Sequence, residues 1–178
     1  MPDTRQRLID GTIETIRQHG IAGTTARSIA AAAGVTQALV FYHFGSVQEL
    51  VKAACLAVTQ DRLPLFEERL ARMRSLGDLL ALHTDEQARG NLRVLAQMMA
   101  GARGNPQLAA ATAAALRLWL APLRATLERL LADRLDAGGL AEALCAALLG
   151  LELVDAVDPA TATTALTALH RLSTNLPD

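Results

Sequence analysis

The chain contains few cysteines and few aromatic residues, and its positive and negative charges nearly balance. Its 178 residues include two cysteines, and aromatic residues make up 3% of the total. Lys and Arg number 17 while Asp and Glu number 18, which leaves a formal net charge of -1. A near-neutral chain does not bind nucleic acid through bulk charge, so any such contact must be local.

The two cysteines and the amino end bear on the cellular compartment. Cys55 and Cys145 are far apart in apolar stretches, and the amino end lacks the basic and then apolar run of a secretory leader. These absences predict a reduced, cytoplasmic protein. The richest apolar stretch, 140–157, carries three acidic residues, whereas a bilayer span requires about 20 apolar residues. We therefore expect no membrane span.

Signatures of catalysis and of metal binding are also missing from the sequence. The four histidines fall on separate predicted helices, and the chain contains no HExxH, no CxxC and no Gly-rich phosphate loop. His83 and Glu86 have only a weak metal-type spacing. The sequence thus predicts neither an enzyme nor a bound metal or cofactor.

What the chain does contain is a pattern of helices. Hydrophobic residues make up 51% of it, Ala and Leu dominate, and apolar positions recur every three or four residues. The length supports one globular domain or two small ones, and the spacing predicts an all-α fold. Helices are expected near 4–19, 25–33, 36–44, 46–63, 65–74, 77–83, 86–103, 106–136, 140–156 and 159–174.

Capping residues define the first boundaries. Thr25 and Thr36 are expected to cap the second and third helices with their hydroxyl groups. Gly34 supplies the backbone freedom for the turn between them. Ser46 and Glu49 have the spacing of a capping box at the start of the fourth helix.

Further boundaries depend on prolines and on polar pairs. Pro64 is expected to end or kink the fourth helix, and Pro122 to interrupt the long helix 106–136. The pair Thr84 and Gln87 is expected to introduce the helix 86–103. The pairs Asn105-Pro106 and Asp158-Pro159 each combine a cap with a first-turn proline and predict two more helix starts.

Residues 25–44 have the anatomy of a helix-turn-helix, in which the second helix can enter a major groove about 12 Å wide. The segment from Gly23 to Leu50 resembles the N-terminal DNA-binding domain of the TetR family of bacterial transcriptional regulators. The matching features are the Thr25 cap, Ile29-Ala30, Ala33-Gly34-Val35-Thr36, Tyr42-His43-Phe44, and Ser46 with Leu50.

The resemblance implies a set of DNA contacts. Thr25, Arg27 and Thr36 would touch phosphates or flanking bases, Gln37 and Ala38 would face base edges, and Tyr42 and His43 would hold phosphates. Gln37 is the best candidate for direct readout, because an amide can both donate to and accept from adenine. Plain core packing is the alternative for Tyr42.

Two departures from the family pattern concern affinity for DNA. Val47 stands where the family usually has Lys, and Phe41 where it often has Tyr. No Lys or Arg lies between Arg27 and Lys52. Binding is then either weak or dependent on the few N-terminal arginines. The sequence leaves open whether Phe41 belongs to the core. Arg5 and Arg7 are expected to form a solvated arm rather than to read bases.

The resemblance also implies two domains and a dimer. Residues 1–45 would form a three-helix DNA-binding domain, and 46–178 a helical effector-binding and dimerisation domain. The two long helices near 106–136 and 140–156 would pair with their symmetry mates. Two-fold pairing predicts a palindromic operator in double-stranded DNA. The candidate interface residues are Leu120, Leu123, Leu127, Leu131, Ala143, Ala147 and Gly150.

The middle helices are expected to enclose a pocket for a small, largely apolar effector. Ordinary core packing is the alternative for every candidate, because Met and aromatic residues at helical spacing commonly fill cores. His83 and Arg103 could supply polar contacts, although both are predicted to lie at the surface. The candidate lining residues are Phe66, Leu82, His83, Leu95, Met98, Met99, Leu116 and Trp119.

Together these features predict a homodimeric, ligand-responsive transcriptional regulator, and more specifically a repressor. Two alternatives remain at this point. One is a redox sensor that uses Cys55 or Cys145, although a thiol in an apolar helix usually has a raised pKa. The other is a helical interaction protein with weak DNA binding or none.

Overall fold

Every regular element in residues 3–88, 90–131 and 139–174, which are the residues that the computed structural model describes, is an α-helix. The predicted all-α fold is confirmed. The helices are α1 (Thr4–His19), α2 (Ala26–Ala33), α3 (Gln37–Phe44), α4 (Val47–Ala71), α5 (Leu76–Ala88), α6 (Asn91–Gly101), α7 (Pro106–Leu130), α8 (Leu140–Asp155) and α9 (Pro159–Thr174).

The caps of α2 and α3 follow from local hydrogen bonds. Thr25 Oγ1 accepts from the Ser28 N–H at 3.1 Å, and Ser28 Oγ accepts from the Thr25 N–H at 2.9 Å, so a complete capping box begins α2. Gly34 ends it at φ +63°, as predicted. Thr36 occupies the N-cap of α3, but its hydroxyl makes no cap hydrogen bond. Its carbonyl closes the turn instead, by accepting from the Leu39 N–H at 3.1 Å.

Helix α4 continues through Pro64, so Pro64 does not end the helix and the predicted separate helix 65–74 is wrong. A proline removes one helical hydrogen bond, but packing beyond it holds the last turns in place. Leu70 is almost completely buried. The Arg129 guanidinium donates to the carbonyls of Leu70 and Met73 at 3.0 and 2.9 Å, which satisfies acceptors at the end of the helix. At the other end, Ser46 Oγ accepts from the Glu49 N–H at 3.1 Å, as predicted.

Helices α5 and α6 depart from their predicted bounds. Thr84 lies inside α5, where its hydroxyl donates to the Leu80 carbonyl at 3.1 Å, so the expected helix start at Thr84 and Gln87 is wrong. The effective cap is at Ser75, whose Oγ accepts from the Asp78 N–H at 3.2 Å. In return, Asp78 accepts from backbone N–H groups, and the Arg74 N–H in particular lowers the pKa of that carboxyl group.

The last three helices begin where the sequence predicts. Asn105 Oδ1 accepts from the Leu108 N–H at 3.1 Å at the start of α7. Asp158 Oδ1 accepts from the Thr161 N–H at 3.3 Å at the start of α9. Helix α7 is continuous through Pro122, so the predicted interruption is wrong. The predicted end of this helix near 136 lies outside the described residues.

The chain divides into two compact units. Unit 1 comprises Met1–Asp61 and Gln97–Leu116, and unit 2 comprises Arg62–Ala96 and Arg117–Asp178. The core of unit 1 contains Leu8, Ile16, Ile29, Val40 and Leu50. The main cluster of unit 2 contains Leu70, Met73, Leu79, Leu82, Leu123, Leu127 and Ala141. The functional boundary after residue 45 stays a prediction. In the described part of the chain, no helix combines the length and the apolarity that a bilayer crossing requires.

Candidate nucleic-acid interface

The first two helices cross at a glycine. A Cβ atom added at Gly11 of α1 would lie 2.9 Å from the Ala33 backbone nitrogen and 3.0 Å from the Ala33 Cβ of α2. Because backbone atoms cannot rotate away, the two helices approach this closely only with glycine at position 11. The small residue at 33 completes the crossing.

Arg7 fixes the same crossing with hydrogen bonds. Its guanidinium donates to the carbonyls of Ala33 and Gly34, both at 2.8 Å. These are carbonyls at the end of α2, which otherwise lack helical partners. The expectation that Arg7 belongs to a solvated arm is therefore wrong, and the side chain is engaged within unit 1.

Helix α3 has one face in the core and one face outside it. Val40 is fully buried, whereas Gln37 and Ala38 are exposed. Tyr42 is 82% exposed and Phe41 49% exposed, so neither is an ordinary core aromatic. The outward face of α3 therefore consists of Gln37, Ala38, Phe41 and Tyr42. Large exposed aromatic side chains on a short helix indicate a contact surface.

The other predicted DNA-binding residues flank this face in the chain. Thr25 and Arg27 are exposed at the start of α2, and Thr36 is exposed before the first turn of α3. His43 is half-buried, and its ring meets the Tyr42 ring edge-on at 5.0 Å between centroids. The backbone N–H groups of a helix start and the uncommitted Thr36 hydroxyl suit an anion such as a phosphate.

The charges around α3 are few. Lys52 is paired with Glu49 at 2.6 Å. The Arg5 guanidinium lies over the Phe44 ring, 4.9 Å from its centroid, which places one cation beside the end of α3. Arg7 is engaged at the end of α2, and Arg17 is paired with Glu14 at 2.6 Å. Arg5 and Arg27 are therefore the remaining candidates among the four N-terminal arginines for phosphate contacts.

The candidate dimer residues on α7 and those on α8 differ in burial. Leu123 and Leu127 are buried in the main cluster of unit 2, and Leu120 and Leu131 pack against that cluster. The chain's own side chains therefore cover Leu123 and Leu127, which argues against their use at a dimer surface. Leu120 and Leu131 are half-buried, and their use there stays a prediction. On α8 the small candidates remain accessible.

Those small residues of α8 form one stripe. Ala143 and Ala147 are exposed, and a Cβ atom added at Gly150 would meet nothing within 4 Å. Spacings of four and three place the three residues on one helical face. Val154 continues the face and is also exposed.

The candidate effector residues are distributed over both units. Phe66, Leu82, His83, Leu95 and Trp119 belong to unit 2, and Met98, Met99 and Leu116 to unit 1. Leu82 and Met98 are buried, whereas Met99 is exposed. Phe66 and Trp119 meet edge-to-face, 4.7 Å between ring centroids. A complete effector pocket with this lining stays a prediction.

His83 is buried, contrary to its predicted surface position, whereas Arg103 is exposed as predicted. Only 4% of His83 is exposed, and its Nε2 atom has no hydrogen-bond partner. Burial lowers the pKa of the imidazole, and the nearby His170 lowers it further. The ring lines a cavity of about 60 Å³ in unit 2 together with Gln87, Asp155 and Thr163. That volume suits about two water molecules, given some 30 Å³ for each.

Glu152 of α8 is a second buried polar group, and it supports a prediction about stability. It is 5% exposed, and its Oε1 atom has no hydrogen-bond partner. Burial raises the pKa of this carboxyl group, and Asp155 raises it further against the opposing effect of Arg93. A raised folded-state pKa gives stability that is complete below the unfolded pKa and lost as the pH rises through the folded value.

We therefore expect Glu152→Gln to stabilise the protein at pH 8 by about 1 kcal/mol, because it removes a buried and incompletely satisfied charge. The gain should vanish near pH 4, where the wild-type carboxyl is already neutral. Urea unfolding at the two pH values measures it. Glu142→Gln is the control, since the hydrogen bond from Arg124 lowers the pKa of the half-buried Glu142 carboxyl and no gain is expected there. A variant less stable than the wild type at pH 8 would contradict this account.

Three structural residues escaped prediction from the sequence. Gly11 interrupts an otherwise amphipathic helix, and this signal could have indicated a close helix crossing. Arg7 and Arg129 act on carbonyls that are distant along the chain, so no local pattern marks them. The predicted DNA-binding residues, in contrast, all lie on or beside the exposed side of α2 and α3.

The comparisons with known proteins agree with this geometry. Residues 8–54 match the family described as bacterial regulatory proteins, tetR family. The N-terminal region of the chain therefore matches the TetR family. The solved structure of a TetR family member from Streptomyces coelicolor A3 is 26% identical, covers 94% of this chain and 98% of its own, and superposes with a TM-score of 0.68.

Other relatives within and near the TetR family extend the comparison. The "Probable acrEF/envCD operon repressor" of Escherichia coli (strain K12) is 32% identical over 80 residues, which are 45% of this chain and 30% of that protein. The multidrug binding protein EbrR, solved with imidazole, is 27% identical, covers 100% of this chain and 98% of its own, and has a TM-score of 0.67. The chain spans between 29% and 46% of the length of the curated relatives. The TetR proteins are transcriptional regulators rather than enzymes.

Proposed function

We propose that this chain is a homodimeric, ligand-responsive repressor that binds a palindromic operator and is released from it by a small, largely apolar effector. The observation that carries the proposal is the outward face of α3, where Gln37, Ala38 and Tyr42 are exposed. Helices α1, α2 and α3 together form the head of the molecule. A polar side chain on the first turn and an exposed aromatic on the last suit a helix that lies in the major groove.

Each residue on this head has a proposed role. Gln37 contacts a base edge through its amide, and Ala38 packs beside it. Tyr42 and His43 contact phosphates on one side of the groove, and Thr36 does so at the start of α3. Thr25 and Arg27 contact the backbone from the start of α2. Hydrogen bonds to phosphates fix the register, whereas Gln37 supplies the sequence information.

The dimer is proposed to form through the small-residue stripe of α8. Small side chains let two helix backbones approach closely, and Ala143, Ala147 and Gly150 are accessible for that purpose. A two-fold axis then places two α3 helices about 34 to 36 Å apart, which is one turn of DNA. The named operon repressor among the relatives supports repression over activation.

Release by an effector requires unequal affinity for two states of the dimer. To change the ratio of the DNA-incompetent to the DNA-competent state from 1:99 to 99:1, the effector must bind the first state more tightly by about 5.5 kcal/mol. The multidrug binding protein EbrR among the structural relatives supports the proposal that this chain also binds a small molecule. Because the proposed partner is the bacterial chromosome, the protein would act in the cytoplasm.

The alternative of a redox sensor finds little support in the two thiols. Cys55 is buried, and burial raises its pKa despite a hydrogen bond with Thr112. Burial and Glu142 raise the pKa of Cys145. A thiol with a raised pKa has little thiolate and reacts slowly. An enzyme or metal site at His83 and Glu86 is also disfavoured, because Arg62 donates to both Glu86 oxygens at 2.9 and 3.1 Å.

The proposal is tested by measuring affinity for the DNA upstream of the gene as salt is raised. We expect a steep linear loss of log K with log salt, and Arg27→Ala should reduce the slope by about one unit. Arg72→Ala is the matched control, because Arg72 is an exposed arginine of unit 2 paired with Glu68. Affinity independent of salt, or an equal effect of the two variants, would contradict the proposed interface.

A further inference from the structure

A second cavity lies within unit 1, away from every residue predicted to bind the effector. Its volume is about 150 Å³. The α1–α2 turn contributes Ile21 and Thr24, the start of α4 contributes Val47, Gln48 and Val51, and the start of α7 contributes Leu108. No residue lining it is ionisable.

One wall of this cavity is fixed by close packing. A Cβ atom added at Gly101 would lie 2.7 Å from Ile21 Cγ1, so the end of α6 already touches the α1–α2 turn. Val51 and Leu108 are both buried. These contacts fix one wall of the cavity, whereas the remaining lining residues are half-buried.

One edge of the cavity is polar. Asn105 also lines it, and its Oδ1 is held by the Leu108 N–H at 3.1 Å, which leaves the NH₂ group of the amide as a donor. The Thr24 hydroxyl donates to the Gly20 carbonyl at 2.9 Å, which leaves its oxygen lone pairs as acceptors. A ligand with one hydroxyl group can therefore both accept and donate at this edge.

We propose that this cavity is a binding site for a neutral single-ring molecule with one hydroxyl group, of the phenol class. A cavity of about 150 Å³ has room for one benzene ring. The apolar walls contact the ring, and Asn105 and Thr24 form hydrogen bonds with the hydroxyl group. Anionic rings are excluded because no lining residue supplies a positive charge. A bound ligand would contact both the α1–α2 turn and the first turn of α4.

Phenol itself is the probe for the test, and the full chain is titrated with it by NMR. We expect saturable binding with a Kd of about 1 mM or tighter, given the efficiency of very small ligands. Val47→Phe places a ring in the cavity and should weaken binding at least about tenfold. Val58→Phe, on the same helix but outside the lining, should change it less than about twofold. Benzoate should bind at least about tenfold more weakly than phenol.

Two measurements on the wild-type chain complete the test without any variant. Phenol ring protons should give nuclear Overhauser contacts to the methyl groups of Val51 and Leu108. Backbone amides at 20–24 and 47–51 should exchange more slowly with solvent when phenol is present. The proposal is overturned if phenol fails to saturate by roughly 20 mM, if contacts appear only to unit 2, or if Val47→Phe binds phenol as the wild type does.

Discussion

Gly11→Val should destabilise the chain by about 2 to 3 kcal/mol, the usual range for overpacking a close contact. The first added atom would lie 2.9 Å from the Ala33 backbone nitrogen, and Arg7 holds the end of α2 in place by two hydrogen bonds. Helix propensity works in the opposite direction, since valine is a better helix former than glycine by a few tenths of a kcal/mol. The loss therefore reports the crossing of α1 and α2 itself.

Urea unfolding with circular dichroism measures this loss, and amide exchange in α1 and α2 locates it. Gly77→Val is the matched control: a Cβ atom there meets only Ser75 Oγ, at an ordinary 3.5 Å. That variant should stay within about 0.5 kcal/mol of the wild type. Equal stability of the Gly11 and Gly77 variants would show that the close crossing is not required for the fold.

Gly150→Arg should convert the dimer into folded protomers. A side chain at this position meets nothing within 4 Å in the protomer, and arginine is a better helix former than glycine by about 0.8 kcal/mol. In the proposed dimer the same position faces its symmetry mate, where two arginines would collide and repel each other. We expect the dimer dissociation constant to rise at least about 100-fold, which corresponds to about 2.7 kcal/mol.

Sedimentation over a range of concentrations measures this dissociation constant, and circular dichroism verifies that the protomer is folded. Ala71→Arg, at an exposed position at the end of α4, introduces the same side chain outside the proposed interface. It should leave the dimer intact. A Gly150→Arg protein that is still dimeric at low concentration would place the interface elsewhere.

The head of the molecule could be predicted closely because its signals are local. Thr25 and Gly34 act within a few residues of their own positions, and their types fix the start and end of α2. The exposure of Tyr42 follows from the helical spacing to buried Val40, because residues two apart point to nearly opposite sides of a helix. These features depend on neighbouring atoms in the chain, so the sequence pattern contains most of the information.

The rest of the fold depends on contacts between residues that are distant in sequence. Pro64 and Pro122 predict breaks from local chemistry, but packing and the Arg129 hydrogen bonds keep the last turns of α4 helical. The leucines of α7 have the stripe expected at a dimer surface, yet Leu123 and Leu127 of that stripe lie in the core of unit 2. Periodicity identifies a buried face and does not say whether the same chain or a second copy covers it.

His83 illustrates the same limit at the candidate effector residues. A histidine followed by Thr84, Asp85 and Glu86 predicts a surface position, whereas its burial comes from residues of other helices, including Leu151 and Leu166. The sequence placed it among residues that could touch a ligand. It could not show that the nearest cavity holds only about two waters.

Selection of binding sites from random DNA, with the wild type and Gln37→Ala in parallel, tests most directly whether α3 determines sequence preference. The wild type should select a palindrome, and the variant should lose its preference at one base pair in each half-site, by about 1 to 3 kcal/mol at that pair. Arg27→Ala should weaken binding evenly across sequences. If Gln37→Ala selects the same sites as the wild type with the same base preferences, then Gln37 does not read bases, and the account of α3 as the recognition helix is contradicted.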